Sequence, residues 1–284
     1  MLKLQNVTKY YGKKVGIKNI NLEINDKEIF GFIGPNGAGK STTIKCILDF
    51  LKIENGTITI DNSPIIDKEQ IGYLPSEINL YEDLKVIDMI KYNNEFYQKD
   101  GMKKAKKLIK ELEIDTTKKI DELSLGNLKK VGIVLALMHN PKLIILDEPT
   151  SGLDPLMQEK FFEIMLNEKK NGNTIFFSSH NLNEVKRICD RVAIIRNGEI
   201  VEVNKIEDLE KNKFVNIKIK AQGIENLKVQ NIKIKEKNHI EFIYNDEISI
   251  FLELIKDYKI DNLLITEPSL EEIFMHYYKE DSNV

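Results

Sequence analysis

Hydrophobic residues change their spacing several times along the chain, and each change marks an element or a boundary. Leu2 and Leu4, then Ile20, Leu22 and Ile24, alternate with polar residues, the period of half-buried strands. Ile29-Phe30-Gly31-Phe32-Ile33 is apolar throughout, as a strand buried on both faces is, and the segment after residue 40 carries Ile44, Ile47, Leu48 and Leu51 on one helical face. Short strands are expected around 57–60 and 71–74. From about 82 to 138 the pattern is helical, with Leu108, Ile109 and Leu112 at helical spacing. Two further apolar runs, 143–146 and 174–177, each precede a helical pattern, which predicts a parallel sheet covered on both faces, and Asn197-Gly198 predicts a hairpin turn.

Beyond Lys205 the alternation returns in Val215, Ile217, Ile219, then Ile232, Ile234, then Ile240, Phe242, Ile243. A helix near 248–255, a strand at 263–265 and a last helix over 270–278 complete what reads as a separate small α+β domain. The chain is therefore expected to divide into domains 1–204 and 205–284, with a helical insertion at about 82–138 in the first.

Composition narrows the function classes. A chain of 284 residues, 42% hydrophobic and 31% charged, can bury a large core and a second, smaller one. The net charge of −3 gives no global attraction for nucleic acid, and no nucleic-acid partner is expected. Cys46 and Cys189 form no disulfide framework and no metal-ligand spacing, which suits a reducing cytoplasm. No apolar run reaches the roughly 18 residues that span a bilayer, and no secretory signal is apparent, so a cytoplasmic chain that does not itself cross the membrane is expected. The lysines at 103, 104, 106, 107 and 110 read as the solvated face of a helix buried through Leu108 and Leu112.

The chemistry begins at Gly34-Pro35-Asn36-Gly37-Ala38-Gly39-Lys40-Ser41-Thr42, a full P-loop pattern between a buried strand and a helix. Its glycines let backbone N–H groups approach phosphate, Lys40 reaches the outer phosphates, and the Ser41 hydroxyl is placed to ligate magnesium. Asp147 and Glu148 end another buried strand, so their carboxylates face the same crevice; Asp147 suits a magnesium shell and Glu148 the polarising of an attacking water. His180 follows a third buried strand. Beside it, Asn181-x-x-Glu184 reads as a capping box, and a purely structural histidine is the competing reading.

These motifs and their order resemble the ATPase subunit of an ATP-binding-cassette (ABC) transporter. The resemblance runs over about 2–203: Tyr11-Gly12, the P-loop, "YLPSE" at 73–77, "LSLGN" at 123–127, "LIILDEPTSGLDP" at 143–155 and "SSH" ending at His180. "LSLG" and the ending "PSLEEIFMHYY" at 268–278 look like the bacitracin-resistance and multidrug-exporter branch. The resemblance implies an α/β P-loop NTPase cassette with a mostly parallel core sheet, an antiparallel β subdomain and an inserted helical subdomain. It implies that Tyr11 stacks on adenine, with Tyr10 the alternative, and that Ser124, Leu125 and Gly126, before a helix starting near Asn127, bind the γ-phosphate of ATP held by a second subunit. Asp154 then mediates contact between subunits, and His180 contacts the γ-phosphate and aligns the water.

Three positions depart from the family pattern, one of them Asn127, which stands where glutamine is usual. Leu125 stands where glycine is usual and takes a positive φ only with strain. Ser76 stands where a glutamine reaches the magnesium and the water, and serine is too short for that contact, leaving Glu77 or water to substitute. The implied function is ATP hydrolysis, with ATP and Mg2+, by a dimer of nucleotide-binding subunits, identical or different, that drives a separate transmembrane permease in export of a drug, peptide, antibiotic or lipid. Such a subunit sits on the inner face of the cell membrane through its permease. A soluble ABC ATPase or a nucleotide-dependent regulator is the alternative.

Overall fold

The computed structural model describes residues 1–64, 67–211, 215–227, 229, 232–244 and 246–266. The expected last helix, with Leu270, Ile273, Phe274 and Tyr277, lies outside these residues. The chain forms two compact units, 1–204 and 205–284.

In the first unit, β1 (Leu2–Tyr11) and β2 (Lys14–Ile24) lead to β3 (Ile29–Ile33), which is buried at every position. Then come α1 (Lys40–Ile47), β4 (Asn55–Ile60) and β5 (Ile71–Leu74). The helical stretch contributes α2 (Val86–Asn94), α3 (Met102–Glu111) and α4 (Leu125–Leu137). The chain returns through β6 (Leu143–Asp147), α5 (Pro155–Lys170), β7 (Thr174–Ser179), α6 (Leu182–Ile188), β8 (Arg191–Arg196) and β9 (Glu199–Lys205).

Two sheets follow from the two hydrophobic periods. The alternating strands pair antiparallel in the order β2-β1-β4, and the fully apolar ones lie in a sheet ordered β5-β6-β7-β3-β8-β9. From β5 to β8 every pair is parallel. Phe32 packs against Phe176 across β3 and β7, with ring centroids 5.2 Å apart, in a core that also takes Leu2, Ile24, Ile44 and Ile47. Asn197 and Gly198, with φ of 49° and 82°, make the expected tight connection between β8 and β9.

This order positions the chemistry. Because β6, β7 and β3 are adjacent and parallel, the residues leaving their carboxyl ends emerge side by side, as ligand sites do in such sheets. The fold class is the expected one: α/β, with a mostly parallel core sheet, a separate antiparallel sheet and an inserted helical stretch.

The second unit holds α7 (Ile206–Lys211), β10 (Val215–Ala221), β11 (Ile232–Glu236), β12 (His239–Tyr244), α8 (Ile248–Ile255) and β13 (Ile260–Thr266). Its strands pair antiparallel in the order β11-β12-β10-β13, over a core of Ile217, Ile219, Phe242 and Phe251. The α7 helix has no counterpart in the sequence reading. Its six residues are too few for a helical period to show. Among the described residues no helix is long and apolar enough to cross a membrane.

Candidate functional site

The loop after β3 turns through Gly37 and Gly39, with φ of 80° and 112°, a backbone region that side chains rarely adopt. Gly39 is the N-cap of α1 and offers no side-chain acceptor to the first turn, so amide donors of that helix end remain available for an anion. Lys40 is 5% exposed, and its Nζ donates to the carbonyls of Gly34 at 2.8 Å and Pro35 at 3.3 Å. A groove of about 460 Å³ opens here, lined by Asn36, Gly37, Gly39, Lys40, Ser41, Thr42 and Glu148 and by Tyr11, Lys14, Val15 and Gly16.

Tyr11, rather than Tyr10, faces this groove; its hydroxyl lies 3.4 Å from Thr42 Oγ1 and the residue is 47% exposed. Gly16 sets the ring's place, since a Cβ there would come within 2.8 Å of Tyr11 Cε2. The sequence reading missed Gly16, because a glycine needed for the packing of a ring has no motif of its own.

Glu148, just past β6, is the centre of the arrangement. Its Oε1 lies 3.2 Å from Lys40 Nζ and its Oε2 lies 3.2 Å from His180 Nδ1. Three strand ends therefore meet through one carboxylate. The aim depends on an unusual backbone: Glu148 has φ of 48°, a left-handed conformation that costs a non-glycine residue roughly 1–3 kcal/mol and persists only where neighbours over-determine it. Its N–H donates to both the carbonyl and the hydroxyl of Ser178 on β7, each at 3.2 Å. The same hydroxyl donates to Asp147 Oδ1 at 2.8 Å, so Asp147, 2% exposed, is fixed by the next strand. Ser178 was not singled out in the sequence.

The capping box expected at Asn181 forms by half. The Asn181 side chain accepts from the Asn183 amide at 3.0 Å, but its own N–H goes to Ser179 Oγ at 2.9 Å. Glu184 instead accepts from the hydroxyls of Thr150, at 2.9 Å, and Ser179, at 2.7 Å. A nearby serine has taken the donor that the box would use, freeing the carboxylate to tie the loop after Glu148 to the strand before His180.

The "LSLGN" stretch differs from expectation in register. Helix α4 starts at Leu125, not near Asn127, because Ser124 is its N-cap and accepts from the Asn127 amide at 3.4 Å. Leu125 thus sits in the first helical turn, without positive φ, and the strain expected of it does not arise. It is 80% exposed. Gly126 is packed near Gly152, whose carbonyl a Cβ would approach to 2.8 Å. Asp154 caps α5, accepting from the Met157 amide at 3.0 Å. None of Ser124, Leu125, Gly126 and Asp154 lines the groove around Lys40.

Ser76 and Glu77 are exposed after β5. The Ser76 carbonyl accepts from Lys129 Nζ at 2.9 Å. Lys129 is 4% exposed, and burial pushes its pKa down against the opposing pull of Asp147 and Glu148. Among the described residues no three or more His, Cys, Asp or Glu are grouped to hold a metal by themselves.

Comparison with known proteins gives a consistent result. A family profile described as ABC transporter matches residues 17–151. An ABC transporter ATP-binding protein of Methanocaldococcus jannaschii is 40% identical over 216 residues, covering 73% of this chain and 79% of that protein. The linearmycin resistance ATP-binding protein of Bacillus subtilis is 35% identical over 219 residues, covering 74% of this chain and 70% of that protein. Among solved structures, a dimeric ATP-binding cassette in a post-hydrolysis state, bound to ADP and Pi, is similar with a TM-score of 0.66 and 28% identity, covering 72% of this chain and 99% of that one.

Proposed function

The chain belongs to the ATP-binding subunits of ABC transporters, and from that premise we propose that it hydrolyses ATP at a site shared by two cassettes and drives a separate transmembrane permease in export. Residues 1–204 are the nucleotide-binding domain, with about 82–138 its helical subdomain, and 205–284 are an accessory domain. The subunit works at the cytoplasmic face of the membrane, held there by the permease. Export of a drug, antibiotic, peptide or lipid is the direction that a relative named for linearmycin resistance supports.

One observation carries the hydrolytic reading: the Glu148 carboxylate lies between Lys40 and His180 at 3.2 Å from each. The γ-phosphate of ATP competes with Glu148 for the Lys40 ammonium, being the richer in acceptor oxygens. As Lys40 turns to phosphate, Glu148 is released to polarise water, and His180 holds the other side of the carboxylate and the phosphate. Tyr11 stacks on the adenine, and residues 34–42 cradle the phosphates with amides.

A bound magnesium ion would neutralise charge on the phosphates. Ser41 and Asp147 suit it: a hydroxyl in the groove and a carboxylate held by Ser178 are hard oxygen donors of the kind magnesium takes while it keeps waters and phosphate oxygens. Ser76, too short for direct contact, would reach it through water. Ser124, Leu125, Gly126 and Asp154 face the nucleotide of a second cassette, a reading supported by their absence from the lining of this chain's own groove and by the exposure of Leu125.

The test is ATP hydrolysis by the purified chain with and without Mg2+ over a range of protein concentrations. The expected result is a specific activity that rises with concentration, requires Mg2+ and is lost in Lys40→Ala. ATP bound but unhydrolysed at every concentration, even with the permease co-expressed, would favour a regulator.

A further inference from the structure

Lys129 belongs to none of the motifs, yet it is a buried cation bonded to the Glu148 peptide. It lies on α4, in the turn after Ser124, Leu125 and Gly126, and points away from solvent. An ammonium has three N–H donors and no acceptor. Lys129 Nζ meets three backbone carbonyls: Ser76 at 2.9 Å, Pro75 at 3.3 Å and Glu148 at 3.4 Å. It therefore joins three segments that the hydrolytic reading uses separately: the loop after β5, the helix opened by Ser124, and the peptide that aims the Glu148 carboxylate.

The contact with Glu148 matters most, since that residue is in the left-handed region. Ser178 holds its N–H, and the carbonyl on its other side is shared between Lys129 and the Ser151 amide. Removing the ammonium leaves the backbone bonds but takes away the charged donor, and it leaves the carbonyls of Pro75 and Ser76 with one partner fewer.

We propose that Lys129 is a positioning residue for ATP hydrolysis, fixing the Glu148 peptide and the Pro75–Ser76 turn to the helix that begins at Ser124. In this chain, where Ser76 is too short to link the loop to the reacting water through its side chain, the link runs instead through the Ser76 carbonyl and Lys129. A movement of the loop reaches Glu148 and Ser124 together. The proposal rests on the hydrolytic role of Glu148 given above.

Two variants and three readouts test it. Lys129→Met keeps the length and loses every donor, and Lys129→Gln keeps two donors without the charge. Because Lys129 does not line the groove, ATP affinity should stay within about 2-fold, while kcat falls roughly 10- to 100-fold in Lys129→Met, the penalty of a small misplacement, and less in Lys129→Gln. Hydrogen exchange read by mass spectrometry should quicken over 74–80 and 147–151 and stay unchanged over 34–42. Wild-type kcat in both variants, or unchanged exchange over 74–80 and 147–151, would overturn the proposal. So would a fall in ATP affinity as large as the fall in kcat. A wild-type chain that never hydrolyses ATP contradicts the hydrolytic reading instead, and the exchange data then decide the role of Lys129 alone.

Discussion

Lys40 bonds Gly34 and Pro35 and lies 3.2 Å from Glu148, whereas Ser124 bonds the amides of its own helix and the neighbouring Leu125 is 80% exposed. Both stretches end in a helix N-terminus suited to phosphate. The first is closed by neighbouring strands: β6 and β7 deliver Glu148 and His180 to it. The second faces outward, and the groove around Lys40 does not include it. A phosphate held at the first stretch is met by a carboxylate and a histidine of the same chain. One held at the second meets only what another molecule brings. On the proposed function these are two half-sites of opposite character, a catalytic half and a clamping half.

Substitutions separate the halves by size of effect. Glu148→Gln should give the largest, a fall in kcat of roughly 10²–10⁴, the usual contribution of a positioned general base, with ATP affinity retained. Stopped hydrolysis should also leave more chain dimeric in ATP, measured by gel filtration. A monomeric Glu148→Gln under saturating ATP would break the link between the two halves. Tyr11→Ala acts on binding alone: loss of base stacking, worth roughly 1–3 kcal/mol, should raise the Kd for ATP about 5-fold or more with kcat at saturation little changed, checked by titration calorimetry.

Acid should give the smallest effect, and on the clamping side. His139, just past the end of α4, is buried against Tyr97 and lies 3.0 Å from the Ile71 carbonyl, and burial holds its pKa below the usual 6.5. The unfolded chain then binds more protons than the folded one below about pH 6.5, so stability from this group is present above that pH and declines as pH falls toward the folded pKa. Urea midpoints at about pH 7.5 and 5.5 should differ less in His139→Gln than in the wild type. An equal acid loss in both would remove His139 from the explanation.

Much of the first unit was legible because its strands have distinct periods: alternation for β1 and β2, unbroken apolar runs for β3, β6 and β7. The strand-loop-helix context of Gly34–Lys40 was legible for the same reason. What escaped the sequence was contact with backbone. Lys129 bonds carbonyls at 75, 76 and 148, and a carbonyl leaves no trace in residue type. A lysine beside Val131, Ile133 and Val134 in an apolar helix was the available signal. Glu184 was misassigned because its partners Thr150 and Ser179 come from other segments, and a local capping rule cannot see them.

The sharing of one site between two chains is tested most directly by Ser124→Asp. Aspartate preserves the N-cap of α4, so the fold is kept, while its charge repels a γ-phosphate. Alone, this variant should bind ATP through its intact groove yet fail to hydrolyse it. Mixed with equally silent Lys40→Ala, it should regain turnover, since each mixed dimer holds one groove and one clamping stretch that are both intact. Wild-type turnover by Ser124→Asp alone would contradict the central claim, because the catalytic half would then be working without its clamp.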